Sequence, residues 1–403
     1  MMKPNSKEIT FDWEHTEYHF IDPADLGTYD TVPNLEYGMK RTLVGEETEG
    51  FLKELGEDHE SGAMAMAAKS LDMLNATVRG KDLESVTSTE EFWREFRMIA
   101  WHLGKNGRPS MGAAIQAALF RALESIRLKF EGNFNDTNLE EFKSTAELII
   151  TEHIAARQKT VEKLCSNFSR CLTESGSRKD SEITIATLSA SGTITKCLTQ
   201  FLTSLPADKT VVLRILESRP LFEGVSFANT LLSSLPASFP APKVKVEIYS
   251  DASVSIVTKD ADFVLLGADK VLANGDTRNK IGSLPLAIVA KTFNAHCKVL
   301  VVGETDKISA SGIVESDGKE EEEKEEENDA EEVMSVWPTL WSENVREKQS
   351  KGFDIEVKNG YFDWIPAKYI DLYVSEKGVE GKEGIAELSR GFGEVERRLF
   401  DDL

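Results

Sequence analysis

Three residues of one short segment have the chemistry to hold a small anionic molecule. Asp269, Asn279 and Lys280 lie in residues 265–283, between an apolar run and a helix-like stretch. A carboxylate beside an amide, an ammonium and free helix N–H groups suits an anionic, hydroxylated ligand. The competing reading is a tight strand-to-helix turn with Asp269 as its cap. A second candidate is residues 187–193, where Ser189 and Ser191 flank Ala190 ahead of Gly192. Small hydroxyl residues there could cradle a phosphate with backbone N–H groups. A third is residues 217–224, in which Arg219 could fork onto a phosphate or carboxylate; a structural ion pair competes. Asp251 ends a fourth run and reads best as a helix N-cap.

Other chemistries find no support. The histidines are His15, His19, His59, His102, His153 and His296, all remote in sequence from these loops. No Cys/His spacing suits a metal, and the GxSxG, GxxxxGK[ST] and GxGxxG patterns are absent. No cofactor is implied. Cys165, Cys171, Cys197 and Cys297 read as buried thiols of a reducing compartment.

The candidate loops need strands to deliver them. Short β-branched runs at 183–187, 211–215, 244–249, 263–266 and 299–302 alternate with amphipathic stretches at 193–204, 222–235 and 284–293. That alternation predicts a doubly wound parallel sheet, with ligands at the C-terminal strand ends. A last strand is expected within 369–374 and a closing helix over 386–399. The preceding residues differ in character. Phe92, Phe96, Ile99 and Leu103 share one helical face. Asn106-Gly107-Arg108-Pro109 ends that helix, and an alanine-rich helix follows from Met111 to Ile126. A long helical stretch covers about 139–171. The expected organisation is α/β: an extension over 1–45, a helical bundle over 46–177, and a Rossmann-like domain over 178–403.

The chain has 403 residues and a formal net charge of −22. From 315 to 332, 12 acidic residues face 2 basic ones. That tract, about 315–333, reads as a disordered insertion, and deleting residues 318–332 should leave the melting temperature nearly unchanged. The acidity argues against a general affinity for nucleic acid or anionic membrane. No apolar run approaches the ~20 residues that span a bilayer, and no apolar signal core opens the chain, so a cytoplasmic protein is expected.

Taken together and in order, several pieces resemble the family of the alpha, beta and delta subunits of translation initiation factor 2B. That family also contains the isomerases of methylthioribose 1-phosphate and ribose 1,5-bisphosphate. The pieces are Ser61-Gly62-Ala63, Asn106–Pro109, the Ser189 loop, Glu217-Ser218-Arg219-Pro220, Gly267–Asp269 with Asn279–Gly282, and residues 362–366. The resemblance implies a helical domain, a Rossmann-like domain, and dimers or hetero-oligomers of related subunits. Initiation factor 2 is an implied partner. It also implies a sugar-phosphate or nucleotide ligand. Asp269 matches the family's catalytic Asp; Gly62, Ala63, Arg108, Asn279 and Lys280 match ligand contacts.

Three positions depart from the pattern. The catalytic Cys falls at Ser189, and an unassisted hydroxyl cannot ionise near neutrality as a thiol can. The Arg before Gly-Ala is Ser61. The phosphate-facing Gln falls at Glu223, which repels a phosphate unless protonated or paired. These departures favour a regulatory or scaffold protein with a sugar-phosphate-shaped pocket. The rivals are an active aldose–ketose isomerase and a metabolite sensor. Residues 11–33 resemble the tail of a Nudix domain without its catalytic box.

Overall fold

Apolar spacing organises the first half of the described chain. The computed structural model describes Tyr29 and residues 35–403 apart from 41, 59–60, 109–111, 132, 178, 180, 207, 241–242 and 311–327. The Nudix-like stretch, Tyr29 excepted, and most of the acidic tract therefore lie outside the described residues. Helices α1 (Leu35–Lys40), α2 (Glu46–Glu57), α3 (Ala63–Thr77), α4 (Thr89–Asn106), α5 (Gly112–Lys129) and α6 (Leu139–Ser175) come first. Ser88 starts α4 by accepting the Glu91 N–H at 3.2 Å, and Asn138 starts α6 by accepting that of Glu140 at 2.8 Å. The expected face of α4 is buried: Phe92, Phe96, Ile99 and Leu103 all belong to the first core. There Phe92 and Phe142 meet edge to face, with centroids 5.9 Å apart. Ala114, Ala118 and Ala122 are buried on α5, and their small side chains leave room for α3 to pack closely against it.

The second half alternates. It runs β1 (Glu182–Thr187), α7 (Gly192–Ser204), β2 (Thr210–Leu216), α8 (Glu223–Ser234), β3 (Val244–Tyr249), α9 (Val254–Thr258), β4 (Phe263–Leu266), β5 (Lys270–Val271) and β6 (Thr277–Lys280). There follow α10 (Ser283–Phe293), β7 (Lys298–Val302), α11 (Ala330–Met334), α12 (Thr339–Ser350), β8 (Phe362–Ile365), β9 (Leu372–Val374), β10 (Val379–Glu380) and α13 (Lys382–Phe400). The main sheet has the order β10-β9-β7-β4-β1-β2-β3, parallel except for β10. β1, β4 and β7 are almost wholly buried, as strands covered on both faces must be. Succession reverses between β1 and β4, so their C-terminal ends open a crevice there.

Two features differ from expectation. The loop after Asp269 is a β-hairpin: β5, β6 and β8 form a separate antiparallel sheet. The β6 sequence, Thr-Arg-Asn-Lys, is too short and polar to announce a strand. The end of the tract read as disordered is also different, because residues 328–333 are structured. Glu331 pairs with Arg346, Asn359 Nδ2 donates to Glu332 Oε2 at 2.9 Å, and Tyr361 also donates to Glu332. Removing residues 318–332 would therefore take away these contacts, contrary to the expectation of an inert tract.

α6 serves both halves. Phe142, Ala146 and Ile150 enter the helical core, whereas Val161, Leu164 and Phe168 enter the core beneath the sheet. α13 crosses back: Leu399 and Phe400 join the helical core, and Arg97 Nη2 bonds Asp402 Oδ2 at 2.8 Å. No helix among the described residues is long and apolar enough to cross a membrane.

Candidate functional site

A cavity of roughly 900 Å3 opens at the C-terminal ends of β1 and β4. Its floor is the Ser189 loop and Gly267–Asp269. Gly62 and Ala63 close one side, the β6 residues Asn279 and Lys280 another, and Arg108, Glu223 and Tyr361 complete the wall. The first turns of α3, α7 and α8 reach it through Ala63, Thr193 and Glu223. Helix N-termini favour negative charge. Yet the described lining carries five carboxylates (Glu223, Asp269, Glu304, Asp329, Glu332) against three cations (Arg108, Lys280, Lys307).

Three strand-end loops are tied in series. Ser189, with φ 62°, donates its N–H to Ser218 Oγ at 2.7 Å. Ser218, with φ 60°, and Arg219 donate their N–H groups to the two Asp251 carboxylate oxygens, each at 2.8 Å. The Asp251 carboxylate thus braces the loop after β2. It does not accept the first N–H groups of its own helical turn, the role expected from sequence. Left-handed conformations at non-glycine residues are strained and gather at functional loops. Gly224, just beyond, admits no side chain: a Cβ would stand 1.9 Å from the Leu216 carbonyl oxygen.

Asp269 is half-buried at the cavity floor, where its N–H donates to the Arg278 carbonyl at 2.8 Å and starts the hairpin. The hairpin then carries Asn279 and Lys280 back to the same cavity. Asn279 Nδ2 donates to Ser283 Oγ at 2.8 Å, and Ser283 Oγ donates to the Lys280 carbonyl at 2.6 Å. Gly282, with φ 99°, makes the turn into α10. Asp363 accepts the Gly282 and Leu284 N–H groups at 2.7 and 3.1 Å.

Lys280 Nζ lies 2.8 Å from Glu223 Oε2 and 4.4 Å from the centre of the Tyr361 ring. Its residue is only 5% exposed. Tyr361 in turn donates its hydroxyl to Glu332. Arg108 donates to the Asp58 carbonyl, while Asp58 Oδ1 accepts the Ser61 N–H at 2.9 Å. The Ser61 N–H, then Lys69, hold the Asp58 carboxyl well below the usual carboxylate range.

Ser189, Asp269, Gly62, Ala63, Arg108, Glu223, Asn279 and Lys280 therefore meet in one cavity. Arg219 does not line it. Its guanidinium is exposed, 3.0 Å from Glu217 Oε1 and stacked over Phe222, which is the structural ion pair. Among the described lining residues there is neither histidine nor cysteine to activate Ser189. Cys197, on the helix after Ser189, is buried; the Cys165 contact and burial push its thiol up. No cluster of metal-ligating side chains occurs among the described residues.

Sequence reasoning missed Glu304, Glu332 and Tyr361. Glu304 is buried, follows β7 as Asp269 follows β4, and accepts from Thr193 Oγ1 at 2.8 Å. Its place just past a strand end was a readable signal. Glu332 and Tyr361 reach the cavity from α11 and from the residue before β8, far along the chain, and carried none.

The model of the initiation factor 2 subunit family matches residues 59–381. The 5-deoxyribose 1-phosphate isomerase of Petrotoga mobilis is 33% identical over 40% of this chain, a match spanning 41% of that relative's length. The methylthioribose-1-phosphate isomerase of Bacillus cereus is 27% identical over 72% of this chain and 73% of its own. The tetrameric eIF2B-beta2-delta2 complex of C. thermophilum aligns with a TM-score of 0.57 at 13% identity, covering 86% of this chain and 94% of that one. It shares the fold.

Proposed function

The chain belongs to the initiation factor 2 subunit family, and from that premise we propose that it is a regulatory or scaffold member acting in translation initiation. On this reading it keeps a sugar-phosphate-type pocket without efficient catalysis. The observation that carries the proposal is the cavity floor. Ser189 stands where an ionisable thiol would be needed, with no histidine among the described lining residues to take its proton. An aldose–ketose exchange needs one group to remove a proton and another to return it. Asp269 can serve as one; an unassisted serine hydroxyl cannot serve as the other. The partners on this reading are related subunits and initiation factor 2, in the cytoplasm. The Nudix-like segment precedes the family match, and the proposal gives it no part.

The second reading is an aldose–ketose isomerase on a phosphorylated pentose. The relationship to the Bacillus cereus isomerase and the intact Asp269, Asn279 and Lys280 favour it. The test is incubation with methylthioribose 1-phosphate or ribose 1,5-bisphosphate, followed by NMR, alongside affinity purification of the tagged chain. The expected result is no turnover and recovery of related initiation-factor subunits. Turnover that vanishes in Asp269→Asn would establish the isomerase instead. Thermal stabilisation by a sugar phosphate or nucleotide, with neither turnover nor partners, would make the protein a sensor.

A further inference from the structure

Lys280 is the most deeply buried cation of the cavity lining, and Glu223 is its anion. The two meet at 2.8 Å, with the Lys280 side chain 7% exposed and that of Glu223 27%. The opposite face of the ammonium is covered by the Tyr361 ring at 4.4 Å. Glu223 is also the first residue of α8, where the free N–H groups of the helix favour a negative charge. The hairpin residue and the helix residue therefore form a pair in a partly buried place where an added anion meets a carboxylate.

We propose that Glu223 is a specificity-determining residue that occupies the anion position of Lys280 and excludes phosphate from this end of the cavity. This inference rests on reading the cavity as the ligand site. A phosphate oxygen approaching Lys280 must displace the carboxylate or lie beside it. Displacement strips α8 of its stabilising charge, and proximity sets like charges together in a partly desolvated place. An uncharged diol meets neither obstacle, since Glu223 accepts hydrogen bonds and Lys280 donates them. This end of the site then takes the hydroxyl-bearing part of a sugar, and any phosphate of the ligand lies elsewhere in the cavity. Replacing the carboxylate by an amide of the same shape leaves a buried ammonium without its anion, a vacancy that an external phosphate fills.

Isothermal titration of inorganic phosphate into the whole chain tests this, with no dependence on turnover or on partner capture. Glu223→Gln is expected to bind phosphate roughly tenfold or more tighter than the native chain, and Glu223→Gln/Lys280→Met to lose that gain. Melting curves of each variant establish that it is folded, and Glu223→Ala serves in place of Glu223→Gln if the amide variant is not. Phosphate affinity unchanged by the substitution, including no binding by either protein, would overturn the proposal. So would a gain that survives Lys280→Met. A regulatory role could fail its own test while this result stood, because partner recovery and phosphate affinity are read separately.

Discussion

Ser189 and Glu223 are two of the three residues at which the sequence departs from the isomerase pattern it resembles, and each acts through a different physical term. The first concerns proton affinity. A serine hydroxyl holds its proton across the physiological range, whereas a thiol near 8.5 ionises in part. The second concerns fixed charge, because Glu223 neutralises the ammonium that would meet a phosphate. Correcting both should matter more than correcting either. Ser189→Cys in a Glu223→Gln background is expected to bring isomerisation of methylthioribose 1-phosphate to roughly 100-fold above the detection limit at which the native chain shows none. Ser189→Cys alone should give a smaller gain, both followed by NMR. No increase in the double variant would show that the loop does not aim the thiol at the reacting carbons.

The loops after β1, β2 and β3 act as one element because Asp251 and Ser218 link them. Asp251 accepts two N–H groups, and Ser218 passes the restraint to Ser189. Ser218 is buried, so its N–H left without the carboxylate would be costly. Asp251→Ala is expected to destabilise the fold by about 2 kcal/mol. It should also speed amide hydrogen exchange at Ser218 and Arg219. Native exchange rates there would show that another acceptor takes over. The hairpin β5–β6 is the other element that builds the site. It brings Asn279 and Lys280 to the cavity where Asp269 enters it, through antiparallel pairing that ends on β8.

The whole molecule is held across its two halves by a charged junction. Asp306, buried after β7, bonds Arg121 from α5 and lies 3.1 Å from Arg157 Nη1 on α6; Arg121 Nη2 also donates to Thr305 Oγ1 at 2.7 Å. His153 sits beside this junction, its Nε2 2.9 Å from Ser125 Oγ. Burial, then the Arg121 cation, hold its imidazole below the ordinary value, while Glu152 and Asp306 pull the other way. The unfolded chain therefore takes up this proton first as the pH falls. Stability should decline as pH drops through about 6.5 and level off once folded His153 itself titrates. Melting temperatures measured from about pH 8 to 5 check this. His153→Gln should flatten the decline; an unchanged slope would assign it to other groups.

Much of this architecture is legible in one dimension because periodicity is a local property. The face Phe92, Phe96, Ile99 and Leu103 and the buried runs at β1, β4 and β7 announce helix and parallel strand without reference to the rest of the chain. Strand–helix alternation then limits the topology, and a strand end marks where Asp269 must emerge. The types at Ser189, Ser61 and Glu223 also mark where the sequence departs from the isomerase pattern it resembles. Contact between distant segments is another matter. Only the folded chain decides that Arg219 turns to Glu217 and away from the cavity, or that Asp251 braces a neighbouring loop. Only the fold brings Glu223 from α8 against Lys280 from β6, with Tyr361 covering the pair. A carboxylate in a sequence carries a charge, but whether it repels a ligand or neutralises a lysine depends on what stands within a few ångströms of it. That distance is set by packing between elements far apart in the chain.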